Sequence, residues 1–205
     1  MHEELIIYAG NKINAKKALI MLHGRGADAE DILALAENLN VTDYLLAAPQ
    51  ASGNSWYPNS FLANPKNNEP WLSSALDLVH IVVAGFIKQG IKKDKIYFLG
   101  FSQGACLTLE YTARNADQYG GIVAFTGGLI GDKIYTENYK GTFKNTPIFI
   151  GTSNPDFHVP VERVKATTVI LKELGADITE KIYPDMGHTI NQDEINHANN
   201  LIFKP

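Results

Sequence analysis

The chain has 205 residues, 45% of them hydrophobic and 20% charged, with a formal net charge of −4 at pH 7. Length and apolar content suit one large core, so a single domain over 1–205 is expected, and no Lys/Arg cluster is present to meet nucleic-acid phosphate. Cys106 is the lone cysteine, the acidic start Met1-His2-Glu3-Glu4 lacks a signal-peptide pattern, and the apolar runs fall short of a membrane span; a cytoplasmic protein with no disulfide framework, zinc set or stable membrane insertion is expected.

In chain order, 5–8 and 17–22 read as strands joined by the turn-rich segment 10–14. Residues 18–22 are apolar on both faces, the pattern of a strand covered by helices on each side. The glycine-rich loop His23-Gly24-Arg25-Gly26-Ala27 follows, then a helix over 29–39 with Asp28 as its N-cap. A strand over 44–48 stops at Pro49. Residues 50–70 form a long irregular stretch holding Trp56, Tyr57 and Phe61, and a loop of that length in a compact domain is usually functional. A helix runs from Pro70 to about Gln89 and closes on Gly90 and Ile91. Strands follow at 95–99, 121–125, 147–151 and 178–183, with helices from 105, over 161–174 and over 191–202; 126–145 is a second long connection. Strands alternating with helices imply an α/β fold, a mainly parallel doubly wound sheet whose loops gather at the C-terminal strand ends.

Gly100-Phe101-Ser102-Gln103-Gly104 sits between a strand and a helix, the context that turns G-x-S-x-G into a nucleophile elbow. Glycines at 100 and 104 spare the tight turn a side-chain collision. A serine hydroxyl needs a base, and the base needs an acid to orient it. Of six histidines, His2 is terminal, His80 and His197 fall within helices, and His23 is better placed to shape its loop. His158 adjoins the candidate acid. His188 follows the last strand directly and is the expected base, with Asp156 after the strand 147–151 as the acid; Asp185 is the rival acid. Backbone N–H groups of Gln103 and Arg25 are the expected oxyanion donors, although loop 23–27 is also open to reading as a phosphate cradle that lacks the P-loop ending. Trp56, Phe61 and Trp71 either line a substrate pocket or pin their loop to the core. Cys106 reads as a small core residue.

These blocks, together with Ala48-Pro49-Gln50, Ser55-Trp56-Tyr57-Pro58, Asp156-Phe157-His158-Val159-Pro160 and Met186-Gly187-His188, resemble the phospholipase/carboxylesterase family of α/β-hydrolases over about residues 17–190. The resemblance implies an α/β-hydrolase fold without a large cap domain, and hydrolysis of carboxylic esters or thioesters of short to medium acyl chains without a cofactor or metal. It implies Ser102 as nucleophile, Asp156 as orienting acid, His188 as base, and Arg25 and Gln103 as oxyanion donors. Phe157 stands where proline is common and Asp185 where glycine is common. The partner expected is a small ester or thioester; thioesterase, lysophospholipase and a non-catalytic ligand binder are the alternatives. The oligomeric state is not readable from the chain.

Overall fold

The computed structural model describes residues 1–204. Seven strands make one sheet: β1 (Ile6–Gly10), β2 (Lys17–Leu22), β3 (Tyr44–Pro49), β4 (Ile96–Phe101), β5 (Gly121–Phe125), β6 (Pro147–Asn154) and β7 (Asp177–Pro184). Their order is β1-β3-β2-β4-β5-β6-β7. Only β1 runs antiparallel, paired with β3 through Ile6 opposite Pro49; the other pairs are parallel. Segment 10–14 therefore does not close a hairpin between β1 and β2, because β3 lies between them.

Side-chain alternation in the central strands explains why helices cover both faces. Ala18, Ile20 and Leu22 of β2 join a core beneath α2 (Trp71–Lys88), α3 (Gln103–Arg114) and α4 (Val161–Glu173). Leu19 and Met21 join the opposite core, under α1 (Ala29–Ala34) and α5 (Gln192–Leu201). Helix ends follow local chemistry. Asp28 caps α1 by accepting from Glu30 N–H at 3.0 Å and Asp31 N–H at 2.9 Å, and α2 closes with Gly90 at φ +89° and Ile91 N–H donating to Phe86 O at 3.1 Å. The predicted helix over 29–39 is α-helical only to Ala34, and Leu35–Asn38 tighten into a 3₁₀ turn. β6 runs to Asn154, three residues beyond the predicted end. α2 is long and apolar enough to cross a membrane, with a mean hydropathy of 1.4, which the count of continuous apolar runs missed. Its Leu72, Ala75, Leu78, Val79, Val82, Val83 and Phe86 are buried within this fold.

Because six strands are parallel, the loops after β2, β3, β4, β5, β6 and β7 emerge at one edge of the sheet. The last of these loops leads into α5, which seats Glu194 against β6. That side chain is fully buried. Its Oε2 accepts the Asn191 N–H at 2.9 Å, and Gly151 leaves it room, since a Cβ there would overlap Glu194 Oε1. Burial pushes the carboxyl up to about 7 from an ordinary value of 4.5, with the Asn191 N–H opposing and the Asp193 charge adding. Between these two values the folded chain holds a proton that the unfolded chain releases, so Glu194 lowers stability as pH rises through that window. Glu194→Gln should therefore gain stability relative to the parent progressively from pH 4.5 to 7 and hold a constant gain above. Urea unfolding at pH 4.5, 6 and 8 measures this; parallel pH profiles for the two proteins would contradict it.

Candidate active site

Ser102 stands between β4 and α3 with φ 54° and ψ −118°, a region that costs a non-glycine residue energy unless the surroundings enforce it. Its N–H donates to Phe125 O at 2.9 Å, tying the turn to β5. Both flanking glycines are required. A Cβ on Gly100 would overlap the backbone of Gly104, and one on Gly104 would overlap Leu22 O at the end of β2.

His188 Nε2 lies 2.7 Å from Ser102 Oγ, and His188 Nδ1 lies 2.8 Å from Asp156 Oδ2. The side chain of Asp156 is fully buried. Burial opposes its ionisation, but hydrogen bonds from His188, the Val159 N–H and the His158 N–H hold its pKa below the ordinary carboxylate value. Asp156 is therefore ionised at neutral pH. The two loops are also tied to each other, since Gly187 N–H donates to Ser153 Oγ at 3.0 Å; within the second loop, Asn191 Nδ2 donates to Met186 Sδ. The rival Asp185 is exposed, and its N–H donates to Asn154 O, so the carboxylate against His188 is that of Asp156. Asp185 takes φ 52°, the conformation glycine accepts most easily. Phe157 is 96% exposed.

Three segments lock together around the start of α3. The Arg25 guanidinium donates to Ser55 Oγ and to the carbonyls of Tyr57, Pro58 and Asn59 at 2.8 to 3.1 Å. The Gln103 side chain accepts from Trp56 N–H at 2.9 Å and donates to Tyr57 O at 2.8 Å. His23 is buried, which lowers its pKa; Nδ1 sits against Gly24 O and Nε2 accepts the Ala51 N–H at 3.2 Å. That pattern needs a neutral ring, and it assigns His23 to loop shaping. The backbone N–H of Gln103 lies in the first turn of α3, where N–H groups have no partner within the helix. Gly26, next to Arg25, has φ +82°.

A cavity of about 370 Å³ opens over Ser102, His188 and Gln103, with Tyr57, Phe61, Cys106 and Val159 among its walls. Phe61 is among its lining residues. Trp56 and Trp71 are not. Trp56 is fully buried, its indole N–H donating to His23 O at 2.9 Å, and Trp71 packs beside His2; both pin their segments. Pro58, Asn59, Ser60 and His158 also line it, outside the aromatic set expected from the sequence; their place in the loops after β3 and β6 is the signal the sequence carries for them. Cys106 is buried, as expected, with its thiol pushed up to about 12 by burial, yet one side of it faces the cavity. Among the described residues no group of three or more metal-ligating side chains occurs.

A family model for phospholipases/carboxylesterases matches residues 3–204. A solved phospholipase/carboxylesterase from Dyadobacter fermentans is 54% identical, with a TM-score of 0.98, and the match covers 99% of this chain and 98% of that one. Among curated proteins, acyl-protein thioesterase 1 of Gibberella zeae is 32% identical over 127 residues, 61% of this chain and 54% of that protein. A probable carboxylesterase of Arabidopsis thaliana is 30% identical over 135 residues, 66% of this chain and 52% of that protein. The chain thus spans about half the length of these curated relatives.

The lock around α3 has a measurable weight. Gln103→Ala would leave the buried Trp56 N–H without an acceptor, which costs about 1–3 kcal/mol. Urea unfolding should show a loss of that size, and a variant as stable as the parent would show that the 50–59 loop holds without this side chain.

Proposed function

The chain belongs to the phospholipase/carboxylesterase family, and on that premise we propose that it is a serine hydrolase cleaving carboxylic esters of short to medium acyl chains through an acyl-enzyme intermediate. The observation that carries this reading is the continuous line from Ser102 Oγ through His188 to Asp156, with contacts of 2.7 and 2.8 Å.

In the proposed cycle, Ser102 Oγ bonds to the ester carbonyl carbon while its proton passes to His188 Nε2. The carbonyl π electrons move onto oxygen, and the Arg25 and Gln103 backbone N–H groups donate to that oxyanion. Asp156 holds Nδ1–H and stabilises the imidazolium. As the tetrahedral centre collapses, the bond to the leaving oxygen breaks and His188 returns its proton to that oxygen, which departs as an alcohol. Water, deprotonated by His188, then attacks the acyl-serine carbonyl carbon; the bond to Ser102 Oγ breaks as His188 returns the proton to that oxygen, and the carboxylic acid departs. Phe61 forms part of the acyl wall.

The same cycle releases a thiol equally well, and the likeness to acyl-protein thioesterase 1 favours thioester cleavage as the second reading. A binding protein without turnover would have no use for the strained backbone at Ser102. A cytoplasmic setting completes the proposal.

Ser102→Ala should lower kcat on p-nitrophenyl acetate by about 10³- to 10⁶-fold and abolish labelling by a fluorophosphonate, while Asp156→Asn should cost about 10³- to 10⁴-fold. Steady-state kinetics and gel labelling read both. Undiminished hydrolysis by Ser102→Ala would sink the assignment.

A further inference from the structure

The cavity over Ser102 differs in charge from the chain that surrounds it. The chain carries a net −4, yet the cavity is lined by Arg25, His158 and His188 and by no aspartate or glutamate. Asp156, behind His188, has a fully buried side chain. The Arg25 guanidinium donates to a hydroxyl and three backbone carbonyls, all neutral acceptors. Its positive charge therefore meets no carboxylate among the described residues, and Arg25 is one of the residues lining the cavity.

His158 sits where a substrate would feel that field. Its backbone N–H is held by Asp156 Oδ1 at 2.7 Å, which fixes the residue beside the triad. Its ring meets the His188 ring edge-on, with centroids 4.8 Å apart. The ring is exposed, and among the described residues neither of its nitrogens has a hydrogen-bond partner. The cavity is asymmetric around Ser102. Phe61 and Cys106 are buried and form an apolar inner wall, suited to an acyl chain. His188, which returns its proton to the leaving atom, stands with His158 on the solvent side. The alcohol half of an ester leaves past these two rings.

Resting on the hydrolase reading above, we propose that the protein favours esters whose alcohol half carries an oxyanion, a carboxylate or a phosphate, and that His158 is the residue that receives it. The imidazole N–H donates to the anion, and the unpaired charge of Arg25 adds longer-range attraction. Neutral esters of the same shape bind without that contact.

Two esters with the same acetyl group and closely similar shape test this: 4-acetoxybenzoate and methyl 4-acetoxybenzoate. The readout is the ratio of their kcat/KM values, each normalised to the ester's own hydroxide-catalysed rate. The parent enzyme should favour the anion by about tenfold at low salt, and the preference should shrink in about 0.5 M NaCl. His158→Leu should bring the ratio close to one, and His158→Arg should retain it. Substituting 4-acetoxyphenyl phosphate tells a phosphate preference from a carboxylate preference, either of which supports the proposal. A parent ratio near one with brisk turnover of both esters overturns the anion preference and leaves the hydrolase reading intact. An equal loss on both esters in His158→Leu overturns it too, because it marks the ring as packing support for His188. Turnover of neither ester, with no fluorophosphonate labelling, overturns the hydrolase reading and this one together.

Discussion

The turn at Ser102 is the constraint on which the rest of the site depends. A backbone with φ 54° and ψ −118° between β4 and α3 does not persist on its own preferences; the packing around it must enforce it. Enforcement comes from below and from the side. The Ser102 N–H is held by β5, and Gly100 and Gly104 let β4, α3 and the end of β2 approach more closely than any side chain permits. The serine hydroxyl is thereby lifted to the sheet edge, and the N–H groups that begin α3 come with it.

A parallel sheet makes the remaining parts converge. Each strand from β2 to β7 ends at the same edge, so residues far apart in the chain meet without long excursions. Asp156 arrives from β6 and His188 from β7, the two strands being paired along their length. Cross-links then fix the loops: Gly187 to Ser153, Arg25 to the 55–59 segment, and Gln103 to Trp56 and Tyr57. Arg25 and Gln103 thus have two separable contributions. Their side chains hold the 50–59 loop, and their backbone N–H groups are the ones proposed to receive the oxyanion.

Much of this was legible in the residues because local chemistry and topology agree. The doubly apolar β2, the Asp28 cap, the Gly90–Ile91 closure and the G-x-S-x-G turn each have a short-range cause, and the structure follows them. Features that depend on long-range packing were not legible. The insertion of β3 between β1 and β2 follows from sheet pairing rather than from turn residues. Trp56 and Trp71 sit in or beside the loop that walls the cavity, yet the Trp56 ring is buried and the Trp71 ring packs against His2, and nothing in their spacing distinguishes a pocket-lining aromatic from one that pins its segment. Nothing in the spacing of Glu194 along its helix marks it as buried. Its burial arises from the absent side chain at Gly151, on another element.

The central claim is that the hydroxyl of Ser102, and no other group, carries the acyl chain between the two halves of the reaction. Acid-quenching the protein during turnover of p-nitrophenyl butyrate, followed by peptide mass mapping, measures this directly. A single butyryl group on the peptide containing Ser102 is the predicted result. Release of p-nitrophenol with the acyl group on Cys106 or His188, or with no adduct on any peptide under the same quench, would contradict it.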